Sequence, residues 1–191
     1  MTRPMIDNFL RRPRGVAEVI ADAVRVAGLL SVVAGAIWWT VTDAGILALA
    51  LPALLVPRFV GVRPGFDITF GVAVLIAAWS NVLDLYRTVP GWDLLVHVVA
   101  TGLIAVLAYL ALARWNIVPH PPQSRRLAVI FTTSIGLAMS ALWEMVEWLG
   151  KTFITDEIFV TYTDTIGDMA VGGLGALIAG FVVARVRLLR E

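Results

Sequence analysis

The sequence predicts an all-α, polytopic membrane protein, a six-helix transmembrane bundle with an N-terminal interfacial helix. Three observations carry that expectation. Hydrophobic residues make up 59% of the chain and charged residues only 15%, and mean hydropathy is +0.86, outside the balance of soluble domains. Apolar stretches near the length that crosses a bilayer recur through all 191 residues, which fits no single cleaved signal. Threaded through a membrane, these stretches place the basic residues almost entirely on one face.

Residues 1–23 are expected to form a cytoplasmic, interfacial segment. The run RRPRGVAEVIADAVR, residues 11–25, sets apolar residues at helical spacing beside charges, as a helix lying along a membrane surface requires. A first span is expected near residues 24–41. Residues 46–56 are shorter than the ~20 apolar residues that cross the hydrocarbon layer, and they contain Pro52 with Pro57 just beyond. Charge decides that this segment crosses. With a cytoplasmic start and this crossing, thirteen of the fifteen basic residues lie inside and only Arg87 and Lys151 lie outside. The remaining spans are expected near residues 66–85, 92–113, 127–148 and 165–184. They complete a single six-span transmembrane domain, 24–185, followed by a cytoplasmic tail, 186–191, so both termini are inside. Trp38, Trp39, Trp79, Trp92, Trp143 and Trp148 fall towards the outer boundary and Trp115 towards the inner one, as interfacial aromatics do. The Pro-rich stretch NIVPHPPQSRR, residues 116–126, is an inner loop. The chain has no cysteine, which excludes disulfides and thiolate metal sites, and no basic patch suggests nucleic acid as a partner.

On this topology the outer half gathers Asp84, Asp93, His97, Glu144, Glu147, Asp164 and Asp168 from the ends of four helices. An acid inside a membrane costs roughly 2.5–3.5 kcal/mol on insertion scales, so such groups face cavities, pair, or carry function. Simpler accounts exist for some of them. Asp93 and Asp164 begin their helices, where a carboxylate caps free N–H groups, and Asp43 and Asp67 fit the same description. Asp84 stands three residues from Arg87, as a solvated pair would. His97 and Asp168 lie one turn too deep to cap. Glu144 and Glu147 sit in the last turns of an outward-running helix, where the dipole and desolvation both oppose a carboxylate.

Spacing puts Asp93 with His97, Glu144 with Glu147, and Asp164 with Asp168 on common helix faces. The same ridges continue inward through small or hydroxyl residues: Thr101 and Ala105, Ser140 and Gly136, and Gly172, Ala176 and Gly180. Small residues at four-residue intervals let membrane helices approach closely, so the faces that carry the acids are expected to meet. Five carboxylates with few cations nearby need protons or a bound cation. A divalent metal ion suits several carboxylates and one imidazole, with Asp93, His97, Glu144, Glu147, Asp164 and Asp168 as its candidate ligands. Bis-histidine haem is excluded within one chain, because the other histidine, His120, lies in the inner loop.

Three readings stay open. In the first, the metal activates water or polarises a phosphoryl or acyl oxygen of a lipid-linked substrate, with Glu144 or Glu147 as general base; this is a metal-dependent membrane hydrolase or transferase. In the second, the groups form a proton or cation site of a carrier or channel. In the third, the cluster is a structural lock and the protein is an accessory subunit with a membrane-protein partner. Membrane lipid is a partner under all three.

The order of D-x3-H (Asp93, His97), W-E-x2-E (Trp143, Glu144, Glu147) and D-T-x2-D-M (Asp164, Thr165, Asp168, Met169) resembles the YjdF-like family of bacterial inner-membrane proteins. It is more distantly similar to the VanZ-like proteins. The resemblance spans roughly residues 68–180, and its most specific element is D-T-x2-D-M. It implies the bacterial inner membrane as location and supports the site assignment, and it names no reaction. The chain departs from the pattern in its short loop between the last two helices and in Gly172, where a polar residue is expected.

Overall fold

The computed structural model describes residues 3–121, 124–155, 158 and 160–190. Among them, six helices are long and apolar enough to cross a membrane, and they fall into two compact units of three such helices each.

The first unit contains α1 (Arg3–Leu10), α2 (Val16–Trp38), α3 (Val41–Val60), α4 (Pro64–Val82) and the short α5 (Leu85–Thr88), together with the C-terminal residues from Arg187 onwards. The amphipathic segment expected at residues 11–25 divides. An N-terminal helix forms earlier, as α1, residues 11–15 turn the chain, and Val16 to Arg25 are the first turns of a 23-residue α2. Four of the charges that suggested a solvated surface face, Arg11, Glu18, Asp22 and Arg25, are paired instead. Arg25 places one guanidinium nitrogen 2.6 Å and 2.8 Å from the two oxygens of Asp67 on α4, and a second 3.0 Å from Asp22. Arg58 reaches Asp22, and Glu18 accepts from Arg11 at 2.9 Å.

The segment containing Pro52 forms one continuous helix, α3, of 20 residues, so the spanning reading of this stretch holds against the re-entrant alternative. It starts at a reciprocal capping box: the Thr40 hydroxyl accepts from the Asp43 N–H at 3.1 Å while the Asp43 carboxylate accepts from the Thr40 N–H at 3.1 Å. It ends at Gly61, whose φ of 74° is the left-handed conformation that a residue without Cβ adopts freely. Asp67 does not cap α4. The N-cap position is Arg63, with no side-chain cap, and the Asp67 carboxylate turns to Arg25.

The chain's last described residues return to this unit. Leu188 accepts from the Arg63 N–H at 2.7 Å, Arg190 donates to Gly61 at 3.0 Å, and Val62 and Leu189 form an isolated antiparallel bridge. Arg190 also reaches Glu18 at 3.0 Å. The start of α2, the α3–α4 turn and the C-terminal tail therefore meet at one end of the unit.

The second unit contains α6 (Trp92–Arg114), α7 (Arg125–Phe153) and α8 (Tyr162–Val183). All three pack on one another through small residues. A Cβ on Gly136 of α7 would strike the Ala176 Cβ and lie 3.2 Å from the Ala105 Cβ. Closest of all is Gly175, where a Cβ would run into the Val98 carbonyl oxygen, so α6 and α8 touch backbone to backbone. At 29 residues, α7 is about 44 Å long at 1.5 Å per residue, more than the ~30 Å thickness of a hydrocarbon layer.

Candidate metal centre

Each helix of the second unit contributes two titratable residues one turn apart. On α6 the N-cap is Gly91, with a φ of 74° and no side chain to cap with, so Asp93 is not the N-cap and lies 3.5 Å from the His97 Nε2 one turn along. On α8 the cap is Thr161, which accepts from the Asp164 N–H at 3.3 Å, and Asp168 follows one turn deeper. On α7 the pair is Glu144 and Glu147, the latter accepting at 2.9 Å from the Trp143 indole N–H.

The six residues form two tiers. His97, Glu144 and Asp168, one from each helix, are buried at 9%, 6% and 2% exposure. Asp93, Glu147 and Asp164, again one from each helix, are half-buried above them. The tiers share one electrostatic neighbourhood, in which Asp93 acts on Glu147, Asp164 and Asp168, and His97, Asp164 and Asp168 act on Glu144.

Within this cluster, Asp93, His97 and Asp168 bring one ligand atom each to within 4.8 Å of one another. His97 Nε2 lies 4.0 Å from Asp168 Oδ2 and 3.5 Å from Asp93 Oδ1. Ligands around an ion with bonds of about 2.1 Å stand roughly 3.0–3.4 Å apart, so the set would have to contract to close on a cation. Glu144, Glu147 and Asp164 lie outside that group of three, with Glu144 as its buried neighbour and the other two on the rim.

Two buried oxygens give the cluster its chemical character. Asp168 Oδ1 and Glu144 Oε1 have no hydrogen-bond partner among the described residues. A buried carboxylate oxygen left unpaired is costly, so these atoms fit a centre where a cation supplies what the protein does not. Thr165 stands beside the Glu144 carboxyl. Sequence reasoning gave Thr165 no role beyond its place in a motif, although its position next to Asp164 puts it at the head of the same helix.

Below the buried tier the helices close. A Cβ at Gly172 would lie 2.7 Å from Ser140 Oγ and 3.0 Å from Thr101 Oγ1, so glycine here is what lets the three helices converge. The next layer is Ala105, Gly136 and Ala176, in the close contact described above. The three ridges read from the sequence thus do face one another. The remaining acid of the outer set, Asp84, belongs to the first unit and faces Arg87 at 3.7 Å with both side chains more than half exposed, which matches a solvated pair. His120 lies in the loop after α6, where the Tyr109 hydroxyl donates to the Pro119 carbonyl at 2.7 Å.

No solved structure matches this chain. The family described as predicted membrane protein, DUF2238, matches residues 18–188, nearly the whole length, and the chain belongs to it.

Proposed function

From that membership as premise, we propose that the second unit is a divalent-cation centre acting on a lipid-linked substrate. The ion is held by Asp93, His97 and Asp168, and Glu144 serves as the adjacent general base. One observation carries the reading: three ligand atoms from two helices converge within 4.8 Å beside two buried carboxylate oxygens that no group among the described residues satisfies. One nitrogen and carboxylate oxygens suit Mn, Fe or Zn. The bound ion would supply Lewis acidity towards a phosphoryl or acyl oxygen. Glu144 would take the proton from the attacking water, with Thr165 keeping its carboxyl in place. The membrane-exposed side chains of Leu142, Met145 and Val146 flank Glu144 on α7, which favours a substrate arriving from the bilayer.

The same geometry weighs against the other two readings. A carrier needs a route past the buried tier, and there the helices are in contact at Gly136 and Gly175. A lock of protonated acids would join its carboxyls by hydrogen bonds, and Asp168 Oδ1 and Glu144 Oε1 lack them. Elemental analysis of metal-replete protein should find about one divalent ion per chain. Asp168→Asn and His97→Ala should reduce it to background, while Glu144→Gln retains it. Metal-free wild-type protein under those conditions would remove this function.

The metal centre is further proposed to face the periplasmic side of a bacterial inner membrane. Within the second unit, Arg114 in the last turn of α6 and Arg125 and Arg126 at the start of α7 stand at the helix ends away from the metal centre, and such arginine-rich ends lie inside. Since the chain has no cysteine, single cysteines can be labelled cleanly. An impermeant maleimide added to intact cells should reach Ile154→Cys and not Ile117→Cys; the reverse pattern would invert the topology.

A further inference from the structure

The first unit holds a polar centre of its own, where the start of α2, the α3–α4 turn and the C-terminal tail meet. A small cavity lies there, partly open to the outside, and Asn8, Arg11, Glu18, Arg58, Asp67 and Arg190 are among the residues that line it. Its volume of about 10 Å³ admits one water-sized atom.

The arginines of this cavity are fixed by contacts to other segments. Arg58 donates through Nε to the Phe9 carbonyl at 2.9 Å, through Nη2 to the Arg11 carbonyl, and through Nη1 to Asp22. Arg190 donates through Nε to the Val62 carbonyl at 2.7 Å and through Nη1 to Glu18 at 3.0 Å, and its backbone N–H bonds to the Gly61 carbonyl. Arg11 donates through Nη2 to Glu18 at 2.9 Å. Cations held in this way lose little further freedom when a ligand arrives.

The acceptors of the cavity are engaged, whereas its donors are not. Glu18 takes Arg11 and the Arg14 N–H on one oxygen and Arg190 on the other, and both oxygens of Asp67 are met by Arg25. A guanidinium carries five N–H groups. Nη2 of Arg190, and Nε and Nη1 of Arg11, donate to nothing among the described residues. Charge points the same way. Arg11, Arg25, Arg58 and Arg190 stand against Glu18, Asp22 and Asp67, four positive groups to at most three negative ones, and protonation of any of these acids only widens the excess.

Spare guanidinium donors beside a cavity with surplus positive charge suit a phosphate oxygen. The surroundings favour a phosphate that belongs to a lipid. Leu10 and Val16, 72% and 77% exposed, flank the turn that carries Arg11, and offer acyl chains an apolar surface beside the guanidinium groups. Arg12, Arg14 and Arg63 are exposed on the same segments, so a headgroup with a positive group of its own is repelled and an anionic one is attracted.

We propose that the cavity between Arg11, Arg58 and Arg190 is a binding site for the phosphate of an anionic membrane phospholipid. One phosphate oxygen enters the cavity and the rest of the headgroup stays outside, against Arg12, Arg14 and Arg63. The site is independent of the metal reading.

The test places the full chain in nanodiscs containing equal phosphatidylglycerol and phosphatidylcholine, and counts the lipids retained after mild extraction by native mass spectrometry. Wild-type protein should retain phosphatidylglycerol over phosphatidylcholine roughly tenfold, the scale of one charge-assisted contact, with or without a bound divalent ion. Arg11→Gln combined with Arg190→Gln should bring the ratio near one. Arg126→Gln, which removes an exposed charge from the start of α7, should leave it unchanged. Arg190→Lys keeps the charge and removes the spare Nη2 donors; it should lower the ratio to about threefold, and it decides the matter if the double variant does not fold. In a separate arm, inorganic phosphate at millimolar concentration should not displace the lipid, because it lacks acyl chains. No headgroup preference in the wild type, or a ratio unchanged in Arg190→Lys and in any folded double variant, would overturn the proposal. An equal loss in Arg126→Gln would overturn it too, by showing general attraction to positive charge and no site. Displacement by inorganic phosphate would overturn the lipid as the source of the phosphate.

Discussion

Gly175→Ala is expected to destabilise the second unit by about 3 kcal/mol or more, at the upper end of what inserting one methyl into a packed interior costs. The added Cβ would meet the carbonyl oxygen of Val98, with the Val98 carbonyl carbon at 2.7 Å and its Cα at 2.9 Å. All three are backbone atoms of α6, so no side-chain rotation relieves the clash and a helix must shift. Val98 follows His97 directly, so that shift would also disturb the metal triad. Helix propensity works in the opposite direction, since alanine is favoured over glycine by about 1 kcal/mol, and it is too small to compensate. Gly167→Ala on the same helix is the control: nothing lies within 4 Å of its Cβ position, so propensity alone should act and stability should be unchanged or slightly raised. Thermal unfolding in detergent, followed by helical circular dichroism, separates the two. Equal midpoints for both variants would mean that α6 and α8 are not in backbone contact.

The second large effect is expected in the first unit. Arg25→Met should cost about 3–5 kcal/mol, because it strands the Asp67 carboxylate, which is 6% exposed and receives both of its short contacts, 2.6 Å and 2.8 Å, from that guanidinium. Arg25 Nε also donates to the Leu54 carbonyl at 3.0 Å in the turn of α3 that precedes Pro57, and that bond is lost too. Asp22 is affected less, since Arg58 continues to hold it. Removing both charges is a different perturbation from removing one. The double variant Arg25→Met with Asp67→Leu should recover most of the loss, because a buried ion pair replaced by apolar groups is often close to neutral. A double variant no more stable than Arg25→Met alone would place the cost in packing or in the Leu54 bond and not in the stranded carboxylate.

These two cases mark what the sequence could and could not disclose. The site's outline was legible because both of its signals are periodic. Acids inside apolar stretches stand out by cost, and the spacings 93/97, 144/147 and 164/168 fix their faces. Gly136, Gly172, Ala105 and Ala176 mark the same faces as close-packing ones. The Arg25–Asp67 pair has no such signature. Its members lie 42 residues apart on different helices, and each has a satisfactory local explanation, Arg25 as a surface charge and Asp67 as a helix cap. The continuity of α2 back to Val16 was hidden for the same reason, since Glu18, Asp22 and Arg25 look solvated until their partners on other segments are known. Which three of the six candidate ligands converge was likewise hidden, because it depends on side-chain reach between α6 and α8 and not on spacing along either. Thr165 beside Glu144 belongs to that class.

The central claim is that a divalent ion sits against His97, and pulsed electron paramagnetic resonance of the Mn-loaded protein addresses it directly. The chain has two histidines, so the assignment needs only two variants. The wild type should show nitrogen coupling from a single imidazole; His120→Gln should keep it and His97→Gln should lose it. Mn bound without nitrogen coupling in the wild type, or the same coupling persisting in His97→Gln, would contradict the account.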